Sequence, residues 1–541
     1  MTAFTEKFSI CYKKNRKAFL SLYLFALFIN LPLIVLRLTN DLDGLWNQDD
    51  YVTGYWECSI GRWFWTILDK LRFNISLDPI PAIIALAVYS VTLLIAASAL
   101  ELPRRKTTLL SGLLFLAGVG LTCQLSFSFN AIAFSAAFLL SVLAVWLITR
   151  CKGFSLPIRI MLSAISIALM MACYQANIGV TCLLALFVLL FGGVRQKSAA
   201  EQLRFAVPML LATAIGAVLY LISLKLMTLL FGIQMSDYQG FSSLSPAYLL
   251  AGLPEAVRHC YRMAQHYFID GTFCSNRLIR HRWFPLFYLP VLLPAVLACR
   301  KVCKNGGVQG FLRAILYVLG ILLIPIAACC YYLLAPETET HMQMTISLGA
   351  VMPLLLCLSA ETMTKSMIPD STESTLNTNQ STSRHSVGIL RLLPAVCALL
   401  LLYGGALQCL TDEYAMYAGR RATQTLAEGI LMEANRQGYD YVNGQILITD
   451  SPHSSKTFYT SELYDKANSY AQYGNWSHDV GFSRVSWNKF YSNYLRLNVS
   501  FSVGDTETTI AALPEVAAMP SYPASGSIQN IYGVLVVKLG E

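Results

Sequence analysis

The chain has 541 residues, of which 55% are hydrophobic and only 13% charged, with a formal net charge of +9 and a mean hydropathy of +0.52. Soluble domains carry about 25% charged residues, so this composition excludes an ordinary soluble enzyme and points to a polytopic α-helical membrane protein. The basic residues lie in short clusters between apolar runs, where membrane topology puts them, which excludes a nucleic-acid partner as the reason for the positive charge.

Residues 1–17 are basic but have no small-residue cleavage site before Phe19, the pattern of an uncleaved first span rather than a signal peptide. With about 20 apolar residues needed per span, the sequence predicts about eleven transmembrane helices, at 18–36, 79–100, 107–125, 127–149, 160–174, 178–194, 205–231, 284–299, 314–334, 345–360 and 392–410. With the N-terminus in the cytoplasm, Lys13, Lys14, Arg16, Lys17, Arg104, Arg105, Lys106, Arg150, Lys152, Arg195, Lys197, Arg300, Lys301 and Lys304 all fall inside, as the positive-inside bias requires. Residues 39–78, residues 233–283 and everything after Leu410 then face out. The expected location is therefore a bacterial cytoplasmic membrane, crossed many times.

The expected organisation is a transmembrane domain at 1–410 and a small extracytoplasmic α/β domain at 411–541. Residues 369–386 are rich in Ser, Thr and Asn, lack an apolar period and read as the centre of a flexible cytoplasmic linker, 362–390. In the terminal domain, 444–450 and 533–538 read as buried strands and 423–435 as a helix through Leu426, Ile430 and Leu431. The 15 cysteines form no disulfide framework; Cys173, Cys182, Cys329, Cys330, Cys357 and Cys397 sit inside apolar runs as small hydrophobes. No internal repeat is visible, which argues against transporter folds built from inverted halves.

The chemistry gathers in the outer loops. Asp49 and Asp50 follow the first span, with Trp56, Glu57, Arg62 and Trp63 close behind. Group transfer from a lipid phosphate needs a carboxylate to take the acceptor proton and an arginine to meet the leaving phosphate. Adjacent carboxylates repel, which raises one pKa toward the range of a base, although an adjacent acidic pair is more often a solvated turn. Trp46, Trp56, Trp63 and Trp65 fit an aromatic belt at the headgroups, and a tryptophan such as Trp56 or Trp63 also stacks on sugar faces. The segment from Trp63 to Lys70 and Arg72 reads as an amphipathic interfacial helix. In the second outer loop Arg258, His259, Arg262, His266, Arg277, Arg280, His281 and Arg282 run against the topological bias, either for phosphate or for acidic headgroups. Arg258 and Arg262 share a helix face at four-residue spacing. No spacing resembles a zinc site and no motif requires a cofactor. Glu337, Glu339 and His341 leave room for a divalent metal with a first-loop aspartate, but a solvated turn fits them better. His453 and His478 read as surface or internally satisfied histidines.

Asp49-Asp50, Gly54, Trp56-Glu57 and Gly61-Arg62-Trp63 after a single span resemble the first outer loop of the Gtr-type II glucosyltransferases, bacterial membrane enzymes that decorate surface polysaccharides including O-antigen. Met519-Pro520-Ser521-Tyr522-Pro523, Gly526-Ser527-Ile528 and the run from Gly533 to Leu539 resemble that family's closing segment. The resemblance implies a GT-C-like fold, a polyprenyl-phosphate sugar donor (with glucose the expected sugar) and a surface polysaccharide acceptor at the outer leaflet. It also implies an acidic first loop in the active site. In the family an arginine often follows the paired aspartates closely. Here Tyr51-Val52-Thr53 stands there, so the cation must come from Arg62 or the second loop. The implied roles are Asp49 or Asp50 as base, with Asp43 in reserve, Glu57 orienting Arg62 or the acceptor, and Arg62 with Arg258 or Arg262 on the donor phosphate. A polysaccharide or lipid transporter is the rival from another class. It calls for ionisable residues within spans, of which Lys225 is the clear example. A surface-glycan polymerase or ligase is the third reading and calls for a diphosphate donor.

Overall fold

The computed structural model of the protein describes residues 2–47, 51–103, 105–238, 246–270, 285–303, 307–365, 381–476, 482, 484–501 and 505–540. Among them, seven helices are long and apolar enough to cross a membrane: Ile80–Ala99, Ser128–Arg150, Leu156–Cys173, Gln175–Val194, Ala199–Phe231, Met342–Met363 and Leu392–Arg436. The pair Lys106–Leu116 and Val119–Ser126, bent by 44°, is apolar enough to make an eighth if it forms one span, and is otherwise a re-entrant loop. The three other expected spans fall short for identifiable reasons. Thr2–Ile29 carries Lys13, Lys14, Arg16 and Lys17, and the apolar parts Leu286–Cys299 and Gly307–Leu322 are short. The helix at 307–322 stops before Ile324–Ala328, a separate short helix with Pro325 in its first turn.

The elements alternate between two ends of the bundle. At one end, Glu101 pairs with Arg150 at 3.0 Å, Arg195 at 3.7 Å and Lys197 at 3.8 Å, and Arg195 also reaches Glu361 at 3.2 Å. Two of the basic clusters expected on one side of the membrane, Arg150 with Lys152 and Arg195 with Lys197, therefore converge on a single acid. At the other end, Asn40 bonds Ser126, Arg62 lies over Tyr174, and the Ser236 amide donates to the Ser59 carbonyl. Helix Ala199–Phe231 shows how local sequence sets the boundaries. Ser198 and Glu201 cap its start reciprocally, with Glu201 N to Ser198 Oγ at 3.2 Å and Ser198 N to Glu201 Oε2 at 2.7 Å, and Gly232 ends it in the left-handed conformation.

The C-terminal region departs from the expected division. One helix, Ser381–Arg436, runs without interruption from the predicted linker through the last span into the terminal domain. Helix Ile346–Lys365 likewise takes in the start of the predicted linker, and 366–380 lies outside the described residues. At 1.5 Å per residue the long helix extends about 84 Å, nearly three times a bilayer core of about 30 Å. Its final turns therefore belong to the terminal domain, where Leu426, Ile430 and Leu431 are buried. The expected strands are present as β1 (Gln445–Thr449) and β4 (Val534–Lys538), joined by β2 (Ser500–Phe501) and β3 (Ile528–Ile531) in the order β2-β1-β4-β3. β1 is parallel to β2 and β4, pairing Ile446 with Leu535 and Ile448 with Val537; β3 and β4 form an antiparallel hairpin. Side chains alternate across the sheet. Ile446, Ile448, Leu535 and Val537 join the main core with the long helix, whereas Leu447, Val534 and Val536 pack on Ile510, Val516 and Met519. Coverage of both faces explains why β1 and β4 read as continuous apolar runs.

Asp412, fully buried in the long helix, holds this domain to the bundle. Its Oδ1 accepts the amides of Gln472 at 2.7 Å, Tyr473 at 2.8 Å and Gly474 at 2.8 Å, and its Oδ2 accepts Gln408 Nε2 at 2.8 Å. Asp412→Ala strands those amides, each at a cost of about 1–3 kcal/mol. The expected result is a lower melting temperature in detergent and new tryptic cleavage within 420–541, with Asp412→Asn, which keeps an acceptor oxygen, in between. Unchanged melting and digestion of the alanine variant would show that the clamp is dispensable.

Candidate functional site

The first loop opens with a single helical turn, Asp43–Trp46, too short to hold itself together. Its shape is imposed from outside. Asn40, 7% exposed, accepts the amides of Leu42 at 3.2 Å and Gly44 at 3.0 Å through Oδ1, and donates from Nδ2 to Ser126 O at 3.3 Å and Ser126 Oγ at 3.2 Å. Gly44 lies flat on the Ser126 carbonyl; a Cβ there would approach it to 2.7 Å. From the terminal domain, Asn493 Nδ2 donates to Leu45 O at 3.0 Å, Trp46 Nε1 donates to Ser486 Oγ at 2.8 Å, and Ser486 Oγ donates to Asp41 O at 3.2 Å.

Asp43 on this turn is solvent-accessible, yet it is the carboxylate that the structure brings within electrostatic reach of Arg62 and His341. Crowding by protein pushes its carboxyl above the usual range, against the lowering pull of Arg62 and then His341. Arg62 is placed by Gly61, whose φ of 83° favours glycine, and by two carbonyl anchors. Gln175 Nε2 donates to Ile60 O at 2.8 Å, and Tyr220 Oη donates to Gly61 O at 3.2 Å. The guanidinium lies 5.3 Å from the Trp65 ring centroid and 5.0 Å from that of Tyr174, favourable stacking for arginine. Its buried Nε has no hydrogen-bond partner among the described residues. A cation held between aromatic faces with a donor to spare is suited to an incoming anion.

Asp49 and Asp50 lie outside the described residues. The stretch that follows them is ordered by other carboxylates. Asp69 pairs with Arg72 at 2.7 Å and accepts the Thr53 amide at 3.1 Å. Glu57, 6% exposed, accepts the Gly54 amide at 2.8 Å and so caps its own helix, Tyr55–Ser59. Burial and the adjacent Glu57 carboxylate keep the Tyr51 phenol protonated, far above its usual range. The two tryptophans expected at substrate part company: Trp63 is buried in the core, whereas Trp56 is exposed and meets Tyr238 edge-on at 5.8 Å. The predicted amphipathic helix is present as Phe64–Leu71.

In the second loop, Arg258 and Arg262 both lie on the exposed face of helix Pro246–Gln265. Arg258 pairs with Glu255, which also holds His259 at 3.1 Å. Arg277, Arg280, His281 and Arg282 lie outside the described residues. Glu337 and Glu339 are exposed, and Glu337 acts on Tyr248; of the polar patch, His341 is the member whose charge acts on Asp43. Among the described residues, no group of three His, Cys, Asp or Glu side chains could hold a metal ion. His453 is satisfied, with Nε2 2.8 Å from Tyr464 Oη and 2.9 Å from Trp476 O; His478 lies outside the described residues. Sequence reasoning held Asp43 in reserve and missed Tyr174, Gln175 and Tyr220. The signal for Tyr174 and Gln175 was a polar interruption, Tyr174-Gln175-Ala176-Asn177, between two apolar runs.

The model of one protein family, described as Glucosyl transferase GtrII, matches residues 37–354, more than half of the chain. The matched stretch includes the first loop and the middle spans and stops before the terminal domain. No curated protein and no solved structure matches the chain.

The fit of Gly44 on Ser126 leaves no room for a methyl group. Gly44→Ala is expected to cost about 1–3 kcal/mol as a fall in melting temperature, while Gly153→Ala, where a Cβ meets nothing within 4 Å, leaves it unchanged. Equal melting of both variants would mean that the turn is free to shift.

Proposed function

This chain belongs to the glucosyl transferase GtrII family, and from that premise we propose that it moves glucose from a polyprenyl-phosphate donor to a surface polysaccharide on the outer face of a bacterial cytoplasmic membrane. The observation that carries the reading is Arg62, held between Trp65 and Tyr174 with a buried Nε that has no hydrogen-bond partner among the described residues, on the same loop as Asp43 and within that carboxylate's electrostatic reach, at the end of the bundle away from the Glu101 cluster. By the positive-inside bias, the end with Arg150, Arg195 and Lys197 is cytoplasmic, which supports an extracytoplasmic site.

In this reading a first-loop carboxylate takes the proton of the acceptor hydroxyl. The hydroxyl oxygen forms the new bond to the anomeric carbon, the bond from that carbon to the phosphate oxygen breaks, and the electron pair leaves with the polyprenyl phosphate. Arg62 meets the charge that develops on that phosphate, in a desolvated setting where a fixed cation counts most. Asp43, with its raised carboxyl, suits the base; Asp49 and Asp50 are the alternatives on the same loop. Arg258 and Arg262, on the exposed face of their helix, suit headgroup or donor-phosphate capture at the rim. An apolar cleft lined by Leu114, Tyr267, Phe268, Tyr288, Met352 and Leu401 suits the isoprenoid tail, and exposed Trp56 suits a sugar face.

The test is transfer of radiolabelled glucose from polyprenyl-phosphate-glucose by purified membranes. Removing the base is expected to lower turnover by about 10²–10⁴-fold, so one of Asp43→Asn, Asp49→Asn and Asp50→Asn should be nearly inactive at normal protein level. Full activity in all three would take the first loop out of the chemistry.

A pH profile tests the Arg62 assignment separately. The acidic limb of kcat/KM should lie above the ordinary aspartate value of about 3.9, because a carboxyl with a raised pKa becomes a base only at higher pH. Arg62 lowers that pKa, so Arg62→Gln should move the limb to still higher pH while lowering kcat by about 10²-fold or more. A limb that stays in place would show that Asp43 is not the titrating base.

A further inference from the structure

The family match ends at residue 354, yet the helix that carries Asp43 is held on one side by residues well beyond it. We propose that the C-terminal domain completes the glucosyl-transfer site, with Ser486 and Asn493 as positioning residues that hold the Asp43–Trp46 turn in place; this rests on the reading of the first loop as the reacting site. Ser486 spans the turn, since its one hydroxyl accepts from Trp46 at the end of the helix and donates to the Asp41 carbonyl before it. Asn493 takes the Leu45 carbonyl between them. Ser486 is 0% and Asn493 5% exposed, so bulk water has no ready access to replace either bond.

The support is itself rigid. Ser486 lies on helix Arg484–Lys489 and Asn493 on the π-helical turn Phe490–Tyr494. Trp487, Phe490 and Tyr491 of the same stretch are buried in the main core, and Tyr491 Oη donates to Ala427 O at 3.1 Å. The chain entering the loop is tied to the same region. Arg420 donates to Leu36 O at 2.9 Å and Arg37 O at 3.3 Å and stacks on Tyr494, whose hydroxyl meets Thr39 Oγ1 at 3.2 Å. By contrast, the Arg62 segment is anchored by Gln175 and Tyr220, on the spans. The two halves of the site therefore have separate supports, and loosening the C-terminal one should move the carboxylate without disturbing the cation.

That separation predicts a kinetic signature in the full-length enzyme, assayed with radiolabelled polyprenyl-phosphate-glucose. A displacement of about 1 Å costs up to 10²-fold in rate. Ser486→Ala and Asn493→Asp, which removes the Nδ2 donor at constant size, should each lower kcat by about 10-fold or more with the donor KM unchanged. Trp46→Phe breaks the same bond from the other side, so Ser486→Ala combined with Trp46→Phe should be no slower than Ser486→Ala alone. Wild-type kcat in Ser486→Ala and Asn493→Asp, with Asp43→Asn inactive, overturns the positioning role and leaves the site reading standing. A fully active Asp43→Asn overturns the proposal, and the site reading falls with it only where Asp49→Asn and Asp50→Asn are fully active as well. A rise in donor KM matching the fall in kcat, or additive losses in the double variant, also counts against positioning.

Discussion

A single helical turn has no stability of its own, because nucleating a helix fixes several residues for one internal hydrogen bond. The turn Asp43–Trp46 exists because partners on both sides hold it: Asn40, braced by Ser126, on the Gly44 amide, Asn493 on the Leu45 carbonyl, and Ser486 between the Trp46 indole and the Asp41 carbonyl. The position of Asp43 relative to Arg62 is thus a property of the packing between the bundle and the terminal domain. The closeness of that packing shows at Gly44, where the backbone of one segment rests on the carbonyl of another.

The low dielectric of the membrane sorts the remaining charges. Ion pairs gather where the spans end, around Glu101 on one side and in the first loop on the other. Arg62 lies between these extremes, half-buried and flanked by Trp65 and Tyr174, a setting that guanidinium tolerates better than ammonium because it is weakly hydrated and planar. Its Nε faces no partner among the described residues, and a buried donor left unmet costs free energy. Binding of an anion would recover that cost. Glu57 and Asp69 do the opposite work: their carboxylates are spent on the Gly54 and Thr53 amides and give the loop its shape.

The helix Ser381–Arg436 joins the two parts mechanically. Through Asp412 it holds 472–474, and through Arg420 it holds 36–37, so the sheet, the aromatic cluster around Trp487 and the first loop form one packed unit. The sequence places the end of the last span at Leu410, two residues before Asp412. In the structure the helix does not break there, because the carboxylate finds backbone amides that replace water.

The membrane class, the apolar spans at 80–99, 128–150, 156–173 and 199–231, the amphipathic turn after Trp63 and the strands at 445–449 and 534–538 were legible in the sequence alone. Each rests on the transfer free energy of neighbouring side chains, which is local and nearly additive along the chain. Local reading also drew attention to the first loop, since acids, tryptophans and Arg62 crowd it. It did not tell a capping glutamate from a free one, or a core tryptophan such as Trp63 from the exposed Trp56. The tertiary structure decided that Asp43 lies within electrostatic reach of Arg62 and His341, that Tyr174 flanks the arginine while Tyr220 anchors the carbonyl before it, and that Ser486 and Asn493 reach back across the whole chain. Those choices depend on hydrogen bonds and stacking between residues far apart in sequence, whose directions no periodicity or composition records.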